Sequence, residues 1–166
     1  MRNLSRFRGK SIFGPVRNLV LGTFLGVFLY TPFVYSEVPI NLQAIKIIES
    51  GGNFLAFNSR TECYGLYQIS KVCLRDFNEL NQASYTVEDL FKPSINEKVA
   101  SWYFGRIRYM LNFYRIPVSI ETLIASYNWG ITNVVRWYGQ GADIQQLPEE
   151  TRSYIQKYGE LSTANL

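Results

Sequence analysis

The sequence predicts a mainly helical, α+β domain with one small extended element. Three observations predict it. Apolar residues recur at helical spacing over the long segment 94–114. Glycine, proline and small hydroxyl or amide residues mark helix starts and stops at short intervals. Only one brief stretch, Tyr64 to Ser70, alternates in the manner of a strand.

Residues 1–36 read as a signal peptide or signal anchor, and 37–166 as the domain. The first segment carries Arg2, Arg6, Arg8, Lys10 and Arg17 and no acid. An uncharged run follows, with Leu19 to Tyr30 apolar throughout, then Pro32 and the small residues Val34 and Ser36. That order of basic, apolar and cleavage-site regions is a secretory signal. Cleavage after Ser36 and retention as a membrane anchor both stay open. In either case the domain faces outward, in the periplasm or cell envelope, because the basic residues stay in the cytoplasm.

Val38 to Glu49 reads as the first helix, with Pro39 early and Ser50-Gly51-Gly52 as its stop. Residues 54–63 are polar and irregular. The alternating stretch 64–70 leads into a helix with Val72, Leu74, Phe77 and Leu80 as its buried side. Thr86 precedes an acidic first turn. The long helix 94–114 places Val99, Tyr103, Ile107, Met110, Leu111 and Tyr114 on one stripe, read as core, and Pro117 ends it. Ser119 caps the next helix and Gly130 closes it. A short helix from Thr132 stops at Gly139-Gln140-Gly141. A last helix starts at Pro148-Glu149-Glu150 and ends at Gly159.

Composition removes several functions. The chain has no His, so Ser-His and Cys-His nucleophile pairs are excluded, and two Cys alone make no ordinary zinc site. No metal and no cofactor is expected. The net charge of +4 belongs to the leader, because 12 basic and 13 acidic residues remain from 37 onward. A nearly neutral domain argues against nucleic-acid binding.

Glu49 is the first candidate for chemistry. It lies on the last turn of an apolar helix, near the negative end of the helix dipole and beside Ile45 and Ile48. Both surroundings disfavour the charged carboxylate and raise its pKa, as a general acid requires. A surface Glu beside a helix stop is the alternative that this stretch alone leaves open.

Five segments resolve it. Glu49-Ser50-Gly51-Gly52-Asn53 resembles the E-S-x-x-N motif of the soluble lytic transglycosylase (SLT) family, in the lysozyme-like superfamily. Gly65-Leu66-Tyr67-Gln68-Ile69 is similar to its G-L-M-Q-I, and Leu90 to Asn96 to L-F-D-P-x-x-N. Ala125 to Gly130 resembles A-A-Y-N-A-G, and Pro148 to Tyr154 resembles P-x-E-T-R-x-Y. The match runs in order over 40–158.

The resemblance implies a lysozyme-like fold with a substrate groove above the end of the first helix. It implies cleavage of the β-1,4 MurNAc-GlcNAc bond of peptidoglycan, leaving 1,6-anhydro-MurNAc ends. Glu49 would be the single acid and base. Ser50, Ser59, Tyr67, Gln68, Ser70, Tyr127, Asn128 and Glu150 would bind or frame the glycan. Core packing remains open for Tyr127, and a plain helix N-terminal acid for Glu150. Tyr67, Ser70, Lys92 and Trp129 depart from the family pattern, and the aromatics among them could stack on sugar rings.

In an exported protein Cys63 and Cys73 are disulfide candidates, closing a loop around Gln68; two separate thiols are the alternative. A hydrolytic muramidase is the competing activity, with Glu62, Asp76 or Glu79 as a second carboxylate. A non-catalytic wall-binding protein is a third reading. The small size and the leader also suit a component recruited to a secretion, conjugation or pilus apparatus, with membrane contact only through the leader.

Overall fold

A computed structural model describes residues 38–164. The leader, with its cleavage site and anchor readings, lies outside the described residues.

The first helix, α1 (Leu42–Ser50), starts four residues later than expected. Asn41 sets that start: its side-chain oxygen accepts from the Ala44 amide at 3.1 Å, which leaves Pro39 outside the helix. Gly51 ends it in the left-handed conformation, φ 61°. Ala44 and Ile45 are buried.

Three two-residue strands follow, β1 (Phe57–Asn58), β2 (Cys63–Tyr64) and β3 (Ile69–Ser70), forming one antiparallel sheet in that order. The stretch 64–70 is therefore not one extended run. Tyr64 pairs with Ile69 across a tight turn, with Gly65 at φ 73° and Gln68 at φ 47°. The expected irregular segment supplies β1 and the start of β2. Strands of two residues are too short to print an alternation in the sequence.

Helix α2 (Lys71–Asn81) buries Cys73, Leu74 and Phe77. Val72 and Leu80, expected inside, are 57% and 59% exposed. Cys73 takes the inward place because it shares a face with Leu74 and Phe77. A short 3-10 helix, Glu88–Phe91, precedes α3 (Pro93–Phe113). Of the expected α3 stripe, Val99, Ile107 and Leu111 are buried, while Tyr103 and Met110 are half-buried. Tyr114 is exposed, and the helix ends before it rather than at Pro117.

Helix α4 (Ile120–Trp129) opens with a capping box between Ser119 and Thr122. Gly130 closes it and opens α5 (Ile131–Gly139). The last helix, α6 (Glu149–Thr163), runs through Gly159, which was expected to end it. Beyond the glycine Leu161 packs against the core, and one glycine costs only about 1 kcal/mol.

Buried Asn96 of α3 ties the sheet to the helices. Its amide donates to the carbonyls of Tyr64 (2.9 Å) and Leu90 (2.8 Å) and accepts from the Tyr67 amide (2.9 Å). The observed fold is mainly helical with a small antiparallel sheet, as a lysozyme-like domain requires.

Candidate active site

Glu49 lies on the last turn of α1, where α6 packs against it. The Tyr154 hydroxyl of α6 donates to Glu49 Oε1 at 2.7 Å. Burial pushes the Glu49 carboxyl up from 4.5 to about 7. The Tyr154 bond pulls it down, and the charge of Glu150 pushes it up again.

A cleft of about 290 Å³ opens in front of this carboxyl. Of the expected residues it brings together Glu49, Gln68, Ser70, Tyr127, Asn128 and Glu150. Besides Glu49, four of them are held by local devices. Gln68 sits at positive φ in the β2–β3 turn, and its amide donates to the Gly65 carbonyl at 3.0 Å. Ser70 caps α2, its Oγ accepting from the Cys73 amide at 3.2 Å. The Asn128 oxygen accepts from Thr151 Oγ1 at 2.8 Å, tying α4 to α6. The Tyr127 hydroxyl donates to the Tyr67 carbonyl at 2.6 Å, and its ring stacks on Phe104 with centroids 4.7 Å apart. Tyr127 therefore packs in the core and lines the cleft at once.

Three expected residues lie elsewhere. The Tyr67 ring is 1% exposed and turned toward α3, its hydroxyl donating to Glu97 at 3.0 Å. It has no face for a sugar, and only its carbonyl reaches the site, through Tyr127. Ser50 Oγ donates to the Leu66 carbonyl at 2.9 Å and so stitches α1 to the sheet turn. Ser59 is exposed between β1 and β2, outside the cleft lining. Trp129 packs against the core.

Cys63 and Cys73 both line the cleft as free thiols, the second of the two arrangements that the sequence leaves open. Burial pushes the Cys73 thiol up to about 12. The candidate second carboxylates are engaged away from the cleft. Glu62 pairs with Lys71 at 2.7 Å, and Asp76 and Glu79 lie 3.2 Å and 3.9 Å from Arg75. Among the described residues, no three His, Cys, Asp or Glu gather to hold a metal ion.

Sequence reasoning missed several residues of the first lobe and its acid. Tyr154 stood in a quoted motif but received no role. Asn58 and Thr61 line the cleft from the stretch read as irregular, and Tyr103 lines it from a stripe read wholly as core. A second lobe, about 240 Å³, continues past Glu49 on the side of α6. It shares Glu49, Asn128 and Glu150 with the first and adds Ile48, Ser153, Tyr154 and Lys157.

A half-buried carboxyl thus sits where two lobes of a polar cleft meet, on a lysozyme-like scaffold. The model of the transglycosylase SLT domain family matches residues 35–146, two thirds of the chain. The chain belongs to that family. Membership supports peptidoglycan as substrate and cleavage of the lytic transglycosylase type. No curated protein and no solved structure matches the chain.

Proposed function

We propose that the protein is a murein lytic transglycosylase in which Glu49 is both acid and base. Protonated Glu49 gives its proton to the glycosidic oxygen as the bond from MurNAc C1 to GlcNAc breaks. The resulting carboxylate takes the proton of the MurNAc 6-hydroxyl as that oxygen closes on C1. The product is a 1,6-anhydro end, no water is consumed, and the acid is regenerated.

The observation that carries this reading is the protonation balance of Glu49. A carboxyl raised to about 7 by burial can hold a proton near neutrality and still release it. Gln68 and Asn128 offer amides to the sugar acetamido groups across the same cleft. Peptidoglycan lies outside the cytoplasmic membrane, so this reading and the leader's sequence agree on an exported domain. Recruitment to an envelope-spanning apparatus follows as a further proposal, tested by crosslinking and pull-down from intact cells.

Digestion of purified peptidoglycan by the full-length chain tests the reaction, with Glu49→Gln alongside and products read by mass spectrometry. Products one water lighter than reducing muropeptides, absent with Glu49→Gln, are expected. Reducing ends would instead assign a hydrolase. Glu150, which also lines the cleft, would then be the carboxylate to activate water.

A further inference from the structure

The two lobes beside Glu49 differ in charge. Apart from Glu49 and Glu150, the first offers neutral polar groups such as Asn58, Thr61, Gln68 and Asn128. The second adds an ammonium, Lys157, three residues past Tyr154 on α6. That offset is nearly one helical turn, about 4.5 Å along the axis. Lys157 and Tyr154 therefore share a face, and Lys157 lies within a side chain's reach of the acid's surroundings.

Among the described residues Lys157 forms no salt bridge. Lys157 also lines a neighbouring groove with Ile47, Ile48, Leu161 and the acid Glu160, which forms no ion pair with it. Aliphatic carbons can cover that groove while the ammonium stays in water at the lobe. The position lies beyond the residues that the family model matches, so the family match does not account for it.

The substrate has the same division. Its sugars present hydroxyls and acetamides without charge. The stem peptide, linked through the lactyl group of MurNAc, presents free carboxylates. On the proposed function the MurNAc whose C1 reacts would lie next to Glu49, and its lactyl group would lie near the acid.

We infer that the second lobe receives a stem-peptide carboxylate on Lys157, so that the enzyme prefers strands that still carry their peptides. The inference rests on the function proposed above. It makes Lys157 a specificity residue and gives Glu49 and Glu150 a balancing cation where an anionic substituent approaches them.

Binding separates this from catalysis. The full-length chain carrying Glu49→Gln is titrated with soluble glycan chains bearing peptides and with the same chains stripped by an amidase. Peptide-bearing chains are expected to bind about three- to fivefold tighter, the effect of one partly exposed ion pair. Adding Lys157→Gln is expected to erase the difference and Lys157→Arg to keep it. Raising the salt concentration is expected to shrink it. An equal preference with and without Lys157→Gln overturns the inference alone, as does cleavage of both chain types by the unsubstituted protein with the same KM. No binding to either chain overturns it together with the reading on which it rests.

Discussion

The Tyr154 hydroxyl and Glu49 Oε1 lie 2.7 Å apart, joined across 105 residues of sequence. The bond opposes the burial that raises the acid, because a donor stabilises the charged carboxylate. Tyr154 thus favours release of the Glu49 proton, which the proposed mechanism requires in its first step.

The pH profile follows. With Glu49 near 7, kcat/KM should fall about tenfold per pH unit above that value, as the protonated acid is lost. Tyr154→Phe removes the donor, so the Glu49 pKa rises and the alkaline limb moves to higher pH. A limb unmoved in Tyr154→Phe, measured on soluble glycan chains, would remove Tyr154 from the proton balance.

Stability should depend on pH through the same group. Between 4.5 and about 7 the folded state holds the Glu49 proton more tightly than the unfolded chain does. Stability therefore falls as pH rises through this window and levels off above it. Glu49→Gln removes the ionisation, and at pH 8 it should stabilise the fold by about 2–3 kcal/mol relative to its effect at pH 4. Urea unfolding at the two pH values measures the difference.

Gly65 has no room for a side chain. A Cβ there would meet the Leu90 carbonyl oxygen at 2.3 Å and the Asn96 amide nitrogen at 2.4 Å, on a backbone at φ 73°. Gly65→Ala should cost about 2–4 kcal/mol, combining left-handed strain with overpacking. A loss below about 1 kcal/mol in urea unfolding would mean that the turn can move away from α3.

The two cleft thiols should differ in reactivity. Cys73 is buried and its thiol is held well above neutral pH, whereas Cys63 is half-buried. The reduced, folded protein treated with iodoacetamide at pH 8 should be alkylated at Cys63 and spared at Cys73. Peptide mapping reads the outcome, and equal labelling would show that α2 opens on the timescale of the reaction.

Much of this fold was legible because its signals are local. Ser119 and Gly130 announced α4 from both ends, and the apolar period of α3 placed Val99, Ile107 and Leu111 inside. The sheet was not legible, since its pairing depends on a turn rather than on alternation. The α6 end was misread because Gly159 stops a helix only where nothing downstream holds it. In the site, Glu49, Gln68, Asn128 and Glu150 were visible through their motifs, and the structure gathers them at one cleft. Tyr67 was misplaced because a motif records that a position matters without recording which way its side chain points. Here the backbone carbonyl faces the site and the ring faces α3. Lys157 belonged to no motif and became visible only when α6 was laid beside the acid.

The contact between Gly65 and Asn96 also constrains how this chain can diverge. Asn96 fills the space that a side chain at 65 would need, and its three hydrogen bonds serve the turn that the missing side chain permits. Neither position can drift alone. A larger residue at 65 demands a smaller one at 96, which would leave the carbonyls of Tyr64 and Leu90 and the amide of Tyr67 without partners. The two positions are expected to be inherited as a pair.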